Sequence, residues 1–148
     1  MPVFLVIIVV LLDQLSKFWI QSSMLLGMSF PIITDVFHIT YILNPGAAFG
    51  ILENQQLFFI LMGFVILCAA VYFYPRLKQE NIWVRYGAAL LVGGAIGNLI
   101  DRIHIGMVVD FFDFRIWPIF NIADIAIVVG VGSIIYALIF KADVKEKG

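Results

Sequence analysis

Two aspartates, Asp101 and Asp124, each follow an asparagine by three residues, in Asn98-Leu99-Ile100-Asp101 and Asn121-Ile122-Ala123-Asp124. Both stand where a long apolar stretch ends or begins. Ionisable groups at the edge of hydrocarbon are costly and usually serve a function. Two carboxylates that meet in a low-dielectric setting resist ionising together, so one holds a proton while the other stays charged. That is the electrostatic basis of water activation by an aspartate dyad. The ionised member takes a proton from water, and the protonated member polarises a peptide carbonyl. On a helix, residues three apart share a face, so each asparagine amide is expected beside its own carboxylate or against a substrate backbone. The bland alternative is a pair of boundary aspartates that only cap helix ends, and Asp124 lies in a first turn where negative charge is favoured anyway.

Other polar residues invite the same weighing. Asp13 and Lys17 are four apart with the acid first, the favourable helical order. Inside a bilayer they should face the bundle and pair, either to place a helix or to position substrate. Asn44-Pro45-Gly46-Ala47-Ala48-Phe49-Gly50 is dense in small residues that permit tight turns and close backbone approach. It reads as a lip that clamps a substrate chain or as an ordinary hairpin turn. Arg102 could pair with a carboxylate of its own outer loop, bind a lipid phosphate or anchor at the interface. Asp110 and Asp113, taken with Asp101, could form a divalent-metal site for a phosphorylated lipid, although oxygen-only clusters at loose spacing are weak signals.

Several patterns fail. No His-Glu-x-x-His zinc motif occurs. Ser133 follows Gly130-Val131-Gly132, but Ile135 stands where a nucleophile elbow needs glycine. Ser16 and Lys17 are adjacent and point apart on a helix. His104 lies near Asp101 without an obvious nucleophile and reads as a solvated loop residue. Cys68 is the lone cysteine, expected as a small residue packed between helices.

The elements that must carry these residues follow from composition. Of 148 residues, 63% are hydrophobic and 13% charged, and the mean hydropathy is +1.06. A soluble domain of this length could not hide so much apolar surface, whereas a membrane solvates it. The net charge of −1 and the dispersed cations exclude a nucleic-acid groove. Four spans approach the ~20 residues that cross hydrocarbon as helix: Val3–Met24, Leu57–Tyr74, Val84–Arg102 and Asn121–Phe140. The first has no basic start and no Ala-x-Ala-like site after it, so it reads as a retained helix.

Arg76, Lys78 and Arg85 flank the second loop, and Lys141, Lys145 and Lys147 fill the tail, while Leu25–Gln56 has no Lys or Arg. The positive-inside rule then puts both termini in the cytoplasm and the two aspartates outside. Trp19, Trp83 and Trp117 fall at span ends, as interfacial aromatics do. In the first outer loop, Phe37, Ile39, Tyr41 and Leu43 alternate with His38, Thr40 and Ile42, which predicts a strand. Asn44-Pro45-Gly46 breaks it, and a short return strand is expected over Ala47–Leu52. The expected fold is therefore an all-α membrane protein, a single domain over 1–148, with a four-helix bundle and a small extracytoplasmic β-sheet cradle.

With these motifs in order, the chain resembles the bacterial lipoprotein signal peptidases (signal peptidase II) over nearly its whole length. The matching segments are Asp13-Gln14-Leu15-Ser16-Lys17, Asn44 to Gly50, Gly93 to Arg102, Val108-Val109-Asp110-Phe111 and Phe120-Asn121-Ile122-Ala123-Asp124. The resemblance implies a membrane aspartic endopeptidase with Asp101 and Asp124 as its catalytic pair and no cofactor or metal. It implies substrate positioning or dyad support by Asp13, Lys17, Asn44, Gly46, Ala48, Gly97, Asn98, Arg102, Asn121 and Ala123. Its substrates would be prolipoproteins cut just before a diacylglyceryl-modified cysteine, in the bacterial cytoplasmic membrane among membrane lipids. Cyclic peptide antibiotics such as globomycin would inhibit it. Two other classes compete: a small transporter that uses a membrane carboxylate as a proton site, and a metal-dependent lipid phosphotransferase built on Asp101, Asp110 and Asp113. Transporter sites usually lie near the bilayer midplane, deeper than these two aspartates.

Overall fold

The computed structural model describes residues 1–46 and 52–140. Ala48 and the tail lysines Lys141, Lys145 and Lys147 lie outside the described residues, as does most of the expected return strand over Ala47–Leu52. Leu52 itself sits in a turn. Four helices carry the bulk of the chain: α1 (Val3–Ser23), α2 (Gln56–Leu77), α3 (Ile82–Ile105) and α4 (Ile122–Phe140). All four are long and apolar enough to cross a membrane. They match the four spans read from hydropathy, with α2 and α3 running a few residues longer.

α3 is the hub of the bundle, and its composition says why. It buries Gly87, Ala88, Ala89, Gly93, Gly94, Ala95 and Gly97, and small residues let helix backbones approach closely where lipid supplies no hydrophobic drive. A Cβ on Gly87 would come within 2.7 Å of the Gly130 carbonyl oxygen on α4, and one on Gly93 within 2.8 Å of Val9 Cβ on α1. The Asn81 side chain accepts from the Val84 N–H at the start of α3. Gly106, at φ 80°, closes its other end in the left-handed conformation that glycine takes without strain.

α2 packs against α3, with Ile66, Leu67 and Ala70 on the cluster of Val6, Ala89 and Val92, and buries only Gly63. Cys68 lies exposed on α2 rather than packed between helices. α1 likewise exposes Ile7, Ile8, Leu11, Leu12, Leu15 and Phe18, surfaces that only lipid can solvate.

Three antiparallel strands sit beyond one end of the bundle in the order β1 (Ser29–Ile33), β2 (Phe37–Asn44) and β3 (Val108–Asp113). β2 falls where the alternation predicts it. Its partners are β1 and β3 rather than a return strand, and β3 comes from the third loop, starting 64 residues after β2 ends. The pairing sets Ile42 opposite Asp110 and Asn44 opposite Val108. Ile20 and Met24 from the end of α1 pack with Val109 and Phe111 of β3, and Ile39, Tyr41 and Leu43 join them. This small core fastens the sheet to the bundle and fixes where β3 turns its side chains.

Candidate active site

Asp13 and Lys17 form the ion pair that their spacing implies, with Lys17 Nζ 2.8 Å from Asp13 Oδ2. Both are fully buried. Lys17 Nζ also lies 2.8 Å from Asp101 Oδ2 and donates to Asn98 Oδ1 at 3.0 Å. All three ammonium protons are therefore used. The two acids go on to hold backbone. Asp13 Oδ1 accepts the Ala123 N–H at 2.9 Å, and Asp101 Oδ2 accepts the Val109 N–H at 3.1 Å. Asp101 Oδ1 takes a further bond from Gln14 Nε2 at 3.0 Å.

The sequence reading expects Asp101 to face Asp124, whereas the structure turns Asp101 toward Lys17, Gln14 and the Val109 N–H. Its two oxygens accept three bonds inside the protein, and it is not among the residues that line the cavity beside Asp124. The carboxylate that shares that cavity with Asp124 is Asp110. Spacing alone reads Asp110 as a loop acid for metal, and the resemblance places it in a matching segment without giving it a role. The missed signal was the run Val108-Val109-Asp110-Phe111-Phe112, whose β-branched and aromatic residues favour a strand. Once it pairs with β2, Asp110 faces inward.

The start of α4 is a reciprocal cap. Asn121 Oδ1 accepts the Asp124 N–H at 2.9 Å, and Asp124 Oδ2 accepts the Asn121 N–H at 3.2 Å. The asparagine amides do not serve their own carboxylates but cross over. Asn98 Nδ2, on α3, donates to Asp124 Oδ1 at 2.7 Å. Asn121 Nδ2 donates to Asp110 Oδ1 at 2.7 Å and to Asn98 Oδ1 at 3.1 Å. Asn121 therefore touches both cavity carboxylates, through its amide and its backbone. Asn44 Nδ2 donates to Asp110 Oδ2 at 2.9 Å, while Asn44 Oδ1 accepts the Gly46 N–H.

Asp110 is almost wholly buried, and burial pushes its pKa from 3.8 to about 7. The charge of Asp124 adds to the rise, whereas the bonds from Asn44 and Asn121 and the charge of Lys17 oppose it. A neighbouring pair with one member poised to keep its proton near neutrality is the electrostatic state that water activation requires.

The other predicted positions fall around this pair. Gly97 leaves room for Asp13, since a Cβ there would stand 2.5 Å from Asp13 Oδ2 and 3.2 Å from Ala123 Cβ. Arg102 stacks its guanidinium 4.5 Å from the Phe59 ring centroid and donates to the Gly46 carbonyl at 3.1 Å. It makes no ion pair with a carboxylate among the described residues. The cavity, about 650 Å³, runs from Asp110 and Asp124 past Arg102 and Asn44 into an apolar slot of Phe59, Met62, Ile66, Leu99 and Val128. Asp113 sits apart, accepting from Thr40 Oγ1 at 2.8 Å and pairing with Arg115 at 3.1 Å. Among the described residues no three acids, histidines or cysteines cluster as metal ligands would, so Asp101, Asp110 and Asp113 do not form the set considered from sequence. His104 is exposed.

The family model described as signal peptidase (SPase) II matches residues 5–140. This chain belongs to the signal peptidase II family. It is 43% identical to the lipoprotein signal peptidase of Pelotomaculum thermopropionicum, over 99% of this chain and 97% of that one. It is 46% identical to the lipoprotein signal peptidase of Halothermothrix orenii, over 90% and 91% of the two chains. A solved structure of a bacterial membrane enzyme superimposes with a TM-score of 0.88 at 41% identity, covering 98% of this chain and 90% of that one. A second, also a bacterial membrane enzyme, gives 0.83 over 94% and 92%. As a signal peptidase II, the chain is a multi-pass bacterial membrane protein and an aspartic-type peptidase, which sets aside the transporter and phosphotransferase readings.

Proposed function

We propose that this protein removes the signal peptide from diacylglyceryl-modified prolipoproteins, cutting just before the lipidated cysteine, with Asp110 and Asp124 as the reacting pair. One observation carries the choice of pair: Asp110 and Asp124 line one cavity and are joined through Asn121, while Asp101 is spent on Lys17, Gln14 and the Val109 N–H.

In this reading the pair shares one proton near pH 7, and its titration belongs to both groups. A water between them loses a proton to the ionised carboxylate as its oxygen adds to the scissile carbonyl carbon. The protonated carboxyl gives its proton to the carbonyl oxygen. Collapse of the tetrahedral intermediate breaks the C–N bond: the departing nitrogen takes the proton from one carboxyl, and a hydroxyl of the intermediate returns its proton to the other carboxylate, restoring the shared proton. Asn98 and Asn121 hold the carboxylates, and their amides stabilise whichever carries charge. Asp13, Lys17, Gly97, Ala123 and Asp101 position these groups. Arg102, Gly46 and Asn44 form the rim against which the substrate backbone lies, and the resemblance alone gives Ala48 a substrate-positioning role.

The apolar slot supports a lipid-linked substrate, because it can take hydrocarbon beside the carboxylates, and its volume is that of a small-molecule pocket. The distribution of Lys and Arg supports cytoplasmic termini and an outward-facing site. Globomycin-like cyclic peptides would occupy the same cavity. The test is incubation of purified enzyme in EDTA with a diacylglyceryl-modified precursor and with its unlipidated twin. Cleavage of the first alone is expected. Equal processing of both removes the lipid from recognition, and no processing of either removes the function.

A further inference from the structure

Beyond the two cavity carboxylates, α1 holds a half-buried group to which neither the resemblance nor the proposed reaction gives a role. The Gln14 side-chain amide sits between two acids. Its Nε2 is 3.1 Å from Asp13 Oδ2, 3.0 Å from Asp101 Oδ1 and 3.2 Å from the Gly97 carbonyl oxygen. Among the described residues, Lys17 is the one cation that faces these two carboxylates at ion-pair distance. Two carboxyl groups thus share one ammonium in a buried place, where an acceptor oxygen left without a donor is expensive. A neutral amide with two hydrogens can bridge both acids without adding charge.

What the two acids hold gives the bridge its meaning. Asp13 accepts the N–H of Ala123, the residue before Asp124. Asp101 accepts the N–H of Val109, the residue before Asp110. Each reacting carboxylate is thus one peptide unit from a backbone group gripped by one of these acids, and the two acids are tied together by Lys17 and Gln14. Lys17 joins them at one oxygen of each. Gln14 adds a second tie, through the remaining oxygen of Asp101.

We propose that Gln14 is a positioning residue, yoking Asp13 to Asp101 so that β3 and the first turn of α4 hold Asp110 and Asp124 at the separation that one water spans. This rests on Asp110 and Asp124 being the reacting pair. Gln14 does not line the cavity, so its loss acts on the chemical step and leaves substrate capture alone. A displacement near 1 Å in a reacting group costs on the order of 100-fold in rate.

Three variants test it: Gln14→Leu, which removes the bridge; Gln14→Asn, which keeps the amide one methylene short; and Gln14→Glu, which adds a third acid. In detergent, well below each variant's melting temperature, kcat on a diacylglyceryl-modified precursor should fall roughly 10- to 100-fold for Gln14→Leu. KM should stay within about two-fold, and Gln14→Asn should fall in between. Relative to wild type at the same pH, Gln14→Glu should recover as pH drops, because the protonated carboxyl can again donate. Gln14→Leu should show no such recovery. Where Gln14→Leu does not fold, Gln14→Asn and the pH course of Gln14→Glu decide. Wild-type kcat in all folded variants, with or without a lowered melting temperature, overturns the proposal. A rise in KM matching the loss in kcat/KM overturns it as well. A wild-type enzyme that fails to cleave the precursor at all instead overturns the proposed function.

Discussion

Replacing Asp101 and Asp110, one at a time, by asparagine separates the two aspartates that sequence alone cannot tell apart. Asp101 receives Lys17 and the Val109 N–H on one oxygen and Gln14 on the other. Every neighbour is a donor, so an asparagine NH2 there faces a donor in either orientation. If it turns toward Gln14, that amide can flip, but it then gives up its bonds to Asp13 and the Gly97 carbonyl. One buried donor is stranded in each case, at about 1–3 kcal/mol. Lys17 keeps Asp13, so the cost stays below that of an unpaired buried charge.

Asp110 differs. Its pKa near 7 means that the folded protein bears the cost of burying its charge, about 4 kcal/mol by the conversion of pKa to free energy, once it ionises. Asp110→Asn removes that cost above pH 7 and strands one amide, from Asn44 or Asn121. Its stability at pH 8 should equal or exceed wild type. Its turnover should drop by about 10²- to 10⁴-fold, the loss of one acid–base group. Asp101→Asn should melt earlier yet retain turnover of at least about one hundredth of wild type. The assay is gel-resolved cleavage of a diacylglyceryl-modified precursor, paired with thermal unfolding in the same detergent. Asp101→Asn with unchanged melting and no turnover, beside an active Asp110→Asn, would refute the assignment.

Three further outcomes follow from the same geometry. For Asp110 the folded pKa of about 7 lies above the ordinary 3.8, so the folded state binds the extra proton and its stability falls as pH rises from about 4 to 7; melts from pH 5 to 8 should show wild type losing ground to Asp110→Asn across that range. In the same window kcat/KM of wild type should decline above about pH 7 as the shared proton is lost, and an unchanged rate up to pH 9 counts against a proton on Asp110. Gly97→Ala drives a methyl into Asp13 and toward Ala123, so it should cost about 1–3 kcal/mol and reduce kcat by unseating the start of α4; wild-type melting and kcat would show that the site can yield. Lys17→Met leaves Asp13 and Asp101 buried against each other without a cation and should cost at least about 3–5 kcal/mol, with partial recovery when Asp101→Asn is added; a melting temperature equal to wild type would contradict the buried triad.

Hydropathy and residue chemistry, which are local, fixed the spans, the Asp13–Lys17 pair and the strand from Phe37. A bilayer solvates backbone only as helix or closed sheet, so long apolar runs have one solution, and an i, i+4 acid–base pair on a buried helix face has one partner within reach. The reciprocal cap of Asn121 and Asp124 is likewise a contact within one turn, close to the helix-capping alternative weighed for Asp124. The family resemblance likewise pointed to the right class of enzyme from ordered motifs.

Which aspartate faces Asp124 was not local. Asp101 follows Asn98 as Asp124 follows Asn121, and that likeness favours Asp101 as the partner, but it says nothing about which side of α3 meets Lys17. The answer depends on β3 pairing with a strand 66 residues earlier, between Asn44 and Asp110, and on the end of α1 packing under it. Only that packing delivers Lys17 and Gln14 to Asp101 and turns Asp110 into the cavity. Spacing within an element sets which groups share a face, but the energy of burying a charge is settled by neighbours distant in sequence, and those exist only once the chain has closed on itself.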